Sequence, residues 1–280
     1  MKGVISLPIL SGIYLSLALL GGRGNELQAQ STYKEIDVKD GGSIRGIVRL
    51  NGDGPKIGSL EVTKDAEVCG KRKPYPRLAV GKNNGVRNAV VFIEGISRGK
   101  KAIDNIQPIL DQHKCEYVPH VMILPMGAPL EILNSDRILH NVHAYDVQHD
   151  SRTLFNIAQP IKGQRTPIKT TQFVYPGLVL ATCDAGHPWM SAYIMLAEHP
   201  YYAVTDAEGK FVLGNVPPGS YKVKMWHEGV AIIKTELEKG KPRKYIYEDS
   251  YQEIQEVTVT PNGSATIDFE LTLRSESLSQ

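Results

Sequence analysis

Residues 171–199 read TQFVYPGLVLATCDAGHPWMSAYIMLAEH: two apolar runs, rich in β-branched and aromatic residues, joined by a short loop. Runs of this kind predict two strands of a sheet. The first run ends at Cys183, and His187 and Met190 follow before the second run begins. A thiol, an imidazole and a thioether therefore lie together between two strands, in a chain with only three cysteines and six methionines. This loop is the first candidate for a functional site.

The same strand pattern recurs along most of the chain. Further alternating or β-branched runs lie at 43–50, 88–96, 120–126, 129–134, 140–147, 210–216, 220–226, 253–260 and 264–271. Turn sequences such as NGDGP, KNNG, DAEG, VPPGS and TPNGS separate them, which is typical of antiparallel sandwiches. Only residues 100–114 show apolar residues at helical spacing, and the polar stretch 148–170 predicts a loop.

Composition limits the class of protein. The chain has 280 residues, enough for one large domain or two ordinary ones, and its 32 Lys and Arg nearly balance its 30 Asp and Glu. No basic surface is indicated, so nucleic acid is not expected as a partner. The sequence contains no G-x-S-x-G motif, no H-E-x-x-H motif, no phosphate-binding loop and no His-x-His motif. We therefore expect no enzyme activity.

The N-terminus predicts export. Lys2 precedes the uncharged apolar run VISLPILSGIYLSLALLGG, and the polar stretch RGNELQAQ follows. This is the layout of a secretory signal, here residues 1–29 with cleavage after Ala29. An uncleaved anchor is the alternative, since the run is near the lower limit for crossing a bilayer. No later stretch is apolar for long enough to span a membrane, so we expect a periplasmic or secreted protein.

Export decides how the three cysteines are interpreted. In an oxidising compartment paired thiols form disulfides, and one of three cysteines must stay unpaired. Cys69 and Cys115 both lie in loop-like surroundings, so the economical assignment is a disulfide between them, with Cys183 as the free thiol. Closing that loop stabilises the fold by about 4 kcal/mol on the chain-entropy estimate. An exported free thiol escapes oxidation when it is buried or bound to a metal.

A fourth ligand is expected from another strand. His140 opens the strand at 140–147, and strand ends that are distant in sequence can be adjacent in a sandwich. His140, Cys183, His187 and Met190 would then converge at one end. A thiolate and two imidazoles with a weak axial thioether form the ligand set of a blue-type copper site. The prediction is one copper ion per chain.

These residues carry a resemblance to cupredoxins. Residues 117–141 follow the pattern Y-V-P-x5-P-x-G-x3-E-x2-N-x-D-x3-H-N, which resembles the plastocyanin-like stretch that supplies the first copper histidine, here His140. The loop Cys-x3-His-x2-Met resembles the second half of the copper loop of cytochrome oxidase subunit II. Position 179 is Val where that binuclear site has a second Cys, so the resemblance implies a mononuclear site. The His-to-Met spacing departs from plastocyanin, which leaves Met190 either as axial ligand or as a packing residue beside Trp189.

The C-terminal part resembles a second kind of sandwich. The motifs TDAEGKF and VPPGSYKVKMWHEG resemble a transthyretin-like, carboxypeptidase-regulatory-type module. The resemblance implies an all-β fold, with an antiparallel Greek-key cupredoxin sandwich at 38–197, a smaller transthyretin-like sandwich at 198–272 and a polar tail at 273–280. The early segment GSIRGIVRLNGDGP resembles the first strand of the smaller module, so that module is alternatively discontinuous. The same arrangement resembles exported bacterial proteins labelled methylamine-utilisation-like.

Other polar residues near the candidate ligands have structural interpretations. His143 is out of phase with His140 on an extended strand and is expected at the surface or behind the ligands. His120, His149 and His227 are expected to be structural or exposed. Asp136 and Asp184 are interpreted as turn residues, with carboxylate–histidine pairing as the alternative.

Three functions remain open at this stage. The first is an exported electron carrier that exchanges electrons with a redox partner protein. The second is a copper storage or delivery protein that meets copper-handling proteins in the cell envelope. The third is a copper-free envelope protein that uses its two sandwiches for binding or structure. We favour the electron carrier, because a Cys-His-Met loop with a distant His is hard to explain without a metal.

Overall fold

The computed structural model describes residues 33–52, 58–75, 77–102 and 107–274. The predicted secretory signal at 1–29 and residues 275–280 of the predicted tail lie outside the described residues. Among the described residues, none belongs to a helix long and apolar enough to cross a membrane. The predicted all-β fold class is confirmed, since strands make up almost all the regular structure of the described chain.

The strands of the described residues are, in chain order, β1 (Lys34–Glu35), β2 (Gly42–Leu50), β3 (Ser59–Glu61), β4 (Arg72–Pro74), β5 (Val90–Glu94), β6 (Arg98–Gly99), β7 (Ile109–His113), β8 (Glu116–Val118), β9 (Val121–Pro125), β10 (Leu130–Asn134), β11 (His140–Asp146), β12 (Arg152–Gln159), β13 (Arg165–Ile168), β14 (Gly177–Thr182), β15 (Ser191–Ala197), β16 (Tyr202–Val204), β17 (Lys210–Val216), β18 (Gly219–His227), β19 (Ile232–Glu238), β20 (Lys241–Tyr247), β21 (Tyr251–Val259), β22 (Ser264–Thr266) and β23 (Phe269–Leu271). One short helix, α1 (Ala66–Cys69), and two 3-10 turns (Lys82–Asn84 and Thr170–Gln172) complete the described elements.

The larger sandwich consists of two facing sheets. One has the strand order β12-β11-β14-β15-β9 and the other β13-β10-β7-β8. Alternation along each strand buries one side: Leu130, Ile132 and Asn134 of β10 face inward. On β11 the same period buries His140 together with apolar neighbours. His140 therefore lies at the end of a buried face that continues with Val142 and Ala144.

The smaller sandwich draws strands from both ends of the described chain. One sheet has the order β16-β5-β18-β21, and the other consists of β17, β2 and β22, with β23 also paired to β2. The predicted division at 197/198 is thus crossed by strand pairing, because β2 and β5 bond to strands beyond residue 200. Ile44 and Val48 of β2 obtain their burial from this later part of the chain. Leu273, which the prediction placed in the polar tail, packs in the same core.

Strand β15 joins the two sandwiches. All seven of its residues are buried, which explains why SAYIMLA is apolar on both faces. Ala192 and Ile194 pack in the core of the larger sandwich. Tyr193 and Met195 pack on the opposite face with Trp226 of β18. The strand that leaves the Cys-His-Met loop is therefore covered on both sides.

Three local expectations differ from the structure. The segment 100–114 was expected to be helical, but Ile109–His113 forms β7, which pairs in parallel with β10; residues 103–106 lie outside the described part. The segment 148–170, expected as a loop, contains β12 and β13. The predicted sandwich was antiparallel, yet β9 also pairs in parallel with β15. These parallel partners are separated by crossings to the other sheet, so no hairpin constrains their direction.

A buried charged cluster lies where the sandwiches meet. Arg77 Nη1 lies 3.1 Å from Glu228 Oε2, and these side chains are 4% and 1% exposed. The same guanidinium donates to the Tyr193 hydroxyl at 2.9 Å, and His120 Nε2 contacts the other Glu228 oxygen. Burial alone would raise the pKa of Glu228, but the charges of His120 and Arg77 lower it. Glu228 is therefore held as a carboxylate that neutralises Arg77.

We predict that Glu228→Gln lowers the free energy of unfolding by about 3–5 kcal/mol, because it leaves the Arg77 charge buried without a counterion. The matched control is Glu236→Gln, whose partner Arg243 lies 3.5 Å away with a side chain that is 62% exposed. It should cost less than about 1 kcal/mol. Urea denaturation of both variants measures the difference, and equal losses would contradict the role given to the buried pair.

We predict that the buried His199 makes the folded protein less stable in acid. Burial lowers its pKa to about 4, while hydrogen bonds to the backbone oppose that shift. The unfolded side chain titrates near 6.5, so between these values the unfolded chain binds a proton that the folded protein does not. Stability is full above about pH 6.5 and should fall by about 3 kcal/mol as the pH drops towards 4. His199→Asn should flatten this part of the pH profile in urea denaturation, and an unchanged slope would refute the assignment.

Candidate metal centre

The Cys-His-Met loop connects two neighbouring strands of one sheet. Cys183 directly follows β14, and the Met190 N–H donates to the His187 carbonyl at 3.0 Å just before β15 begins. Gly186 takes a positive φ of 94° within the loop, and a Cβ there would meet the Lys64 side chain at 2.8 Å. Glycine thus allows the turn that directs His187 inward.

A buried asparagine shapes the approach to His140. Asn134 Oδ1 accepts from the Asp136 N–H at 2.9 Å, and its Nδ2 donates to the carbonyls of Ile138 at 3.0 Å and Gln159 at 2.8 Å. These bonds fix the connection between β10 and β11. The N-x-D pattern therefore sets where β11 begins, and with it the position of His140.

Three of the predicted ligands converge. Ring nitrogens of His140 and His187 and the sulfur of Cys183 all lie within 4.8 Å of one another. The two Nδ1 atoms are 3.2 Å apart, and Cys183 Sγ is 3.6 Å from His187 Nδ1. The three side chains are between 0% and 4% exposed. The structure thus builds a small, buried donor set from two separate strand ends.

A carboxylate holds the outer nitrogen of each histidine. His140 Nε2 lies 2.9 Å from Asp136 Oδ2, and His187 Nε2 lies 2.9 Å from Asp65 Oδ2. A carboxylate is an acceptor, so we assign the proton of each imidazole to Nε2. Neither Nδ1 then carries a proton, and both lone pairs point at the same small volume.

This arrangement fits a metal ion. Two acceptor nitrogens 3.2 Å apart repel each other unless a shared cation lies between them. Nitrogen and sulfur atoms bound to one first-row metal ion at roughly 2.0–2.3 Å lie about 3–4 Å from each other. The observed separations of 3.2 and 3.6 Å fall in that range. The donor set, one thiol and two imidazoles, suits copper by ligand type.

Backbone N–H groups position the carboxylate of Asp136. Asp136 accepts from the N–H groups of Lys114 at 2.8 Å and Cys115 at 2.7 Å. Burial would raise its pKa, but the bonds from His140 and these two N–H groups lower it. Asp65 precedes α1 with a positive φ of 56° and makes no capping bond to the helix. Its carboxylate serves His187 instead.

The sulfur of Cys183 has its own hydrogen-bonding surroundings. Burial raises the pKa of the Cys183 thiol, while the N–H groups of Asn141 and Ala185 lower it. The Tyr117 hydroxyl lies beside the sulfur and donates to the Asn141 carbonyl at 2.5 Å. Metal binding requires the thiolate, so an ion entering this site would displace the thiol proton.

The predicted disulfide is present beside this donor set. Cys69 and Cys115 are bonded, and Cys183 is the free cysteine among the described residues. The Trp189 indole N–H donates to the Cys115 carbonyl at 3.0 Å, which ties the loop to the disulfide. Cys115, Asp136 and His140 form a second cluster of metal-ligand types, but a disulfide sulfur is not a thiolate ligand.

The remaining candidates take different positions. Met190 is buried in the core of the larger sandwich, on the same loop as His187. His143 bonds to Asp184 at 2.6 Å on the outer side, as its phase on β11 predicts. His227 is buried and contacts the Glu228 carbonyl at 2.8 Å, away from the three convergent donors.

Sequence reasoning missed Asp65. The residue lies 122 positions from His187, before a short helix, where an Asp normally reads as a cap. The sequence feature that could have pointed to Asp65 is an acidic residue before a short helix that ends in a cysteine. Asp136, by contrast, follows the carboxylate–histidine alternative that the sequence offered.

A family model matches one part of the chain. Residues 177–272 match the carboxypeptidase regulatory-like domain family, a match that begins in β14 and includes the Cys-His-Met loop. No curated protein matches the sequence.

Solved structures align with about a third of the chain. A purple cupredoxin from Nitrosopumilus maritimus is 23% identical, covers 33% of this chain and 100% of its own, and has a TM-score of 0.28. Amicyanin from Paracoccus versutus is 16% identical, covers 38% and 97%, and has a TM-score of 0.28. A copper-containing nitrite reductase from Thermus scotoductus is 23% identical over 37% of this chain, with a TM-score of 0.28, and the aligned part spans only 25% of the reductase. The chain is thus similar, over part of its length in each case, to cupredoxins and to carboxypeptidase regulatory-like domains, the two resemblances that its sequence predicted.

The variant Met190→Leu tests whether Met190 binds the metal or only packs in the core. The two side chains have similar volumes, so the free energy of unfolding should change by less than about 1.5 kcal/mol. If the Met190 thioether is a weak axial ligand, the copper-loaded variant should change its EPR hyperfine splitting and the position of its visible band. Met122→Leu, in the same core, is the control and should leave the spectrum unchanged. An unchanged spectrum for Met190→Leu would make Met190 a packing residue.

Proposed function

We propose that the protein is an exported mononuclear copper protein that transfers electrons. The observation that carries the proposal is the pair of unprotonated Nδ1 atoms, of His140 and His187, aimed at one point beside the Cys183 sulfur. Copper bound there would alternate between Cu(I) and Cu(II) and so carry one electron. The similarity to copper proteins such as amicyanin agrees with the choice of metal but covers only part of the chain.

The burial of the donor set favours electron transfer over copper delivery. A delivery protein passes its metal to an incoming ligand, which requires access to the ion. Here both histidines are fully buried, and the buried Trp189 ring lies 5.3 Å from the His187 ring. A rigid, buried ligand set changes little between the two oxidation states, which suits an electron carrier. The same burial leaves no position for a substrate, so we propose that the protein is not an enzyme.

The chain's own residues divide the work at this site. Cys183, His140 and His187 supply the donor atoms. Asp136 and Asp65 hold the imidazoles in the tautomer that turns Nδ1 inward, as carboxylates behind metal-bound histidines do. Trp189, buried and anchored to the Cys115 carbonyl, excludes water from the loop.

The proposed compartment follows from the cysteines and the N-terminus. The Cys69–Cys115 disulfide is of the kind that forms and persists outside the cytoplasm. The apolar N-terminal run has the layout of a secretory signal. We propose a periplasmic or secreted protein whose partner is a redox protein of the cell envelope.

The test is a copper titration of the mature protein, followed by absorption and EPR. We expect one Cu(II) per chain, a strong thiolate-to-copper band and reversible reduction to Cu(I). Cys183→Ser should remove the band, because the thiolate is its origin, while thermal unfolding stays cooperative. His143→Ala, at the outer side of β11, is the matched control and should keep the band.

Other outcomes would change the proposal. Retention of the band in Cys183→Ser would remove that residue from the site. Tight binding of Cu(I) alone, without reversible cycling, would favour storage or delivery. The absence of stoichiometric copper in the wild type would favour a copper-free binding or structural role.

A further inference from the structure

The two cysteines of the Cys69–Cys115 disulfide are hydrogen-bonded to the two acidic residues behind the histidines: Cys69 to the backbone carbonyl of Asp65, and Cys115 to the carboxylate of Asp136. At one end, the Cys69 N–H donates to the Asp65 carbonyl at 2.9 Å, within the single turn that begins at Asp65. The carboxylate of Asp65 reaches His187. The position of one imidazole is therefore set by a segment that ends in the disulfide.

The other end reaches the second imidazole just as directly. The Cys115 N–H donates to Asp136 Oδ2 at 2.7 Å, and the same oxygen contacts His140 Nε2 at 2.9 Å. The Cys115 carbonyl accepts from the Trp189 indole at 3.0 Å. One residue of the disulfide thus contacts both the His140 side and the loop side of the centre.

Apart from the disulfide, the segment that carries Asp65 is held by apolar packing and by polar contacts: Val62 lies in the core of the larger sandwich, and Leu60 and Val68 pack against it. Its strands β3 and β4 pair only with each other among the described strands and belong to neither sandwich. Lys73 contacts the Lys114 carbonyl and Glu116, and Lys64 donates to the Ala185 carbonyl at 2.7 Å. These polar contacts are the kind that water can replace, whereas the disulfide is covalent.

The disulfide is also shielded. Cys115 is fully buried and Cys69 is 5% exposed, so a reductant does not reach the bond while the protein is folded. A permanent clamp, rather than a redox switch, is the role that this burial allows.

We propose that the disulfide is a positioning element of the metal centre: it holds Asp65 and Asp136 so that both histidines present Nδ1 to one ion. The proposal rests on the proposed copper function and deepens it. Loss of an outer partner of a metal-bound histidine typically weakens metal binding 10–100-fold. Loss of the disulfide disturbs two such partners at once, so an effect of at least that size is expected.

The test removes both cysteines together, as Cys69→Ala with Cys115→Ala. A single substitution would leave a free Cys115 thiol near His140 and Asp136, where it could itself bind metal. The matched control is Leu213→Ala in the core of the smaller sandwich, chosen to lower thermal stability without touching the site. The two variants and the wild type are compared for Cu(II) dissociation constant and visible spectrum.

We expect the double variant to bind copper at least tenfold more weakly than the wild type, with a shifted thiolate band. Leu213→Ala should bind like the wild type. Asp136→Asn should weaken binding in the wild type but add little in the double variant, since both changes act through one hydrogen-bonded network. In metal-free protein, nitrogen NMR should find both histidines protonated at Nε2 in the wild type and a mixture of tautomers in the double variant.

Several results would overturn the inference. An affinity within twofold of the wild type, with the same band and tautomers, would reduce the disulfide to a general stabiliser. If the double variant does not fold, Cys69→Val with Cys115→Ala replaces it, and failure of both to fold would place the effect in folding rather than at the site. If the wild type itself binds no copper, the proposed function fails. If the wild type binds copper and the double variant binds it equally well, the proposed function stands and only the inference about the disulfide fails.

Discussion

Two carboxylate–histidine hydrogen bonds determine the chemistry of this protein. Asp136 accepts from Nε2 of His140, and Asp65 accepts from Nε2 of His187. The two unprotonated Nδ1 atoms therefore face each other. In a buried site this arrangement is unfavourable without a shared cation. The loop, the disulfide and the Asn134 hydrogen bonds all maintain it, which is why the site is already assembled from side chains that lie far apart in the sequence.

The second sandwich contributes to this site through packing. Strand β15 leaves the Cys-His-Met loop and is buried on both faces, one against each sandwich. Movement of the loop would therefore have to disturb two cores. The Arg77–Glu228 pair lies on the same side of this strand as Tyr193 and adds a charged, buried contact between the sandwiches. Rigidity of this kind suits a ligand set that keeps its geometry while an electron moves.

The strand order also explains why no single boundary divides the chain into its two sandwiches. An interior strand of a sandwich needs hydrogen-bond partners on both sides and apolar cover for its inward face. Strands β2 and β5 find both among strands that follow residue 200, and the helix-like segment near residue 110 finds a parallel partner in β10. The larger sandwich is therefore inserted between the parts of the smaller one rather than placed before it.

The sequence by itself determined the all-β class, the Cys69–Cys115 pair and the grouping of Cys183, His187 and His140. The class follows from the period of apolar residues, the pair from the number and surroundings of the cysteines, and the grouping from metal-ligand residue types at the ends of predicted strands. Apolar residues at alternate positions predict strands wherever those strands later pair. Only the tertiary structure decided that Asp65 holds His187, that β2 and β5 belong to the smaller sandwich, and that residues 109–113, 152–159 and 165–168 form strands. Hydrogen bonds between segments 122 and even 221 residues apart leave no local pattern, so their partners follow from the packing of the whole chain.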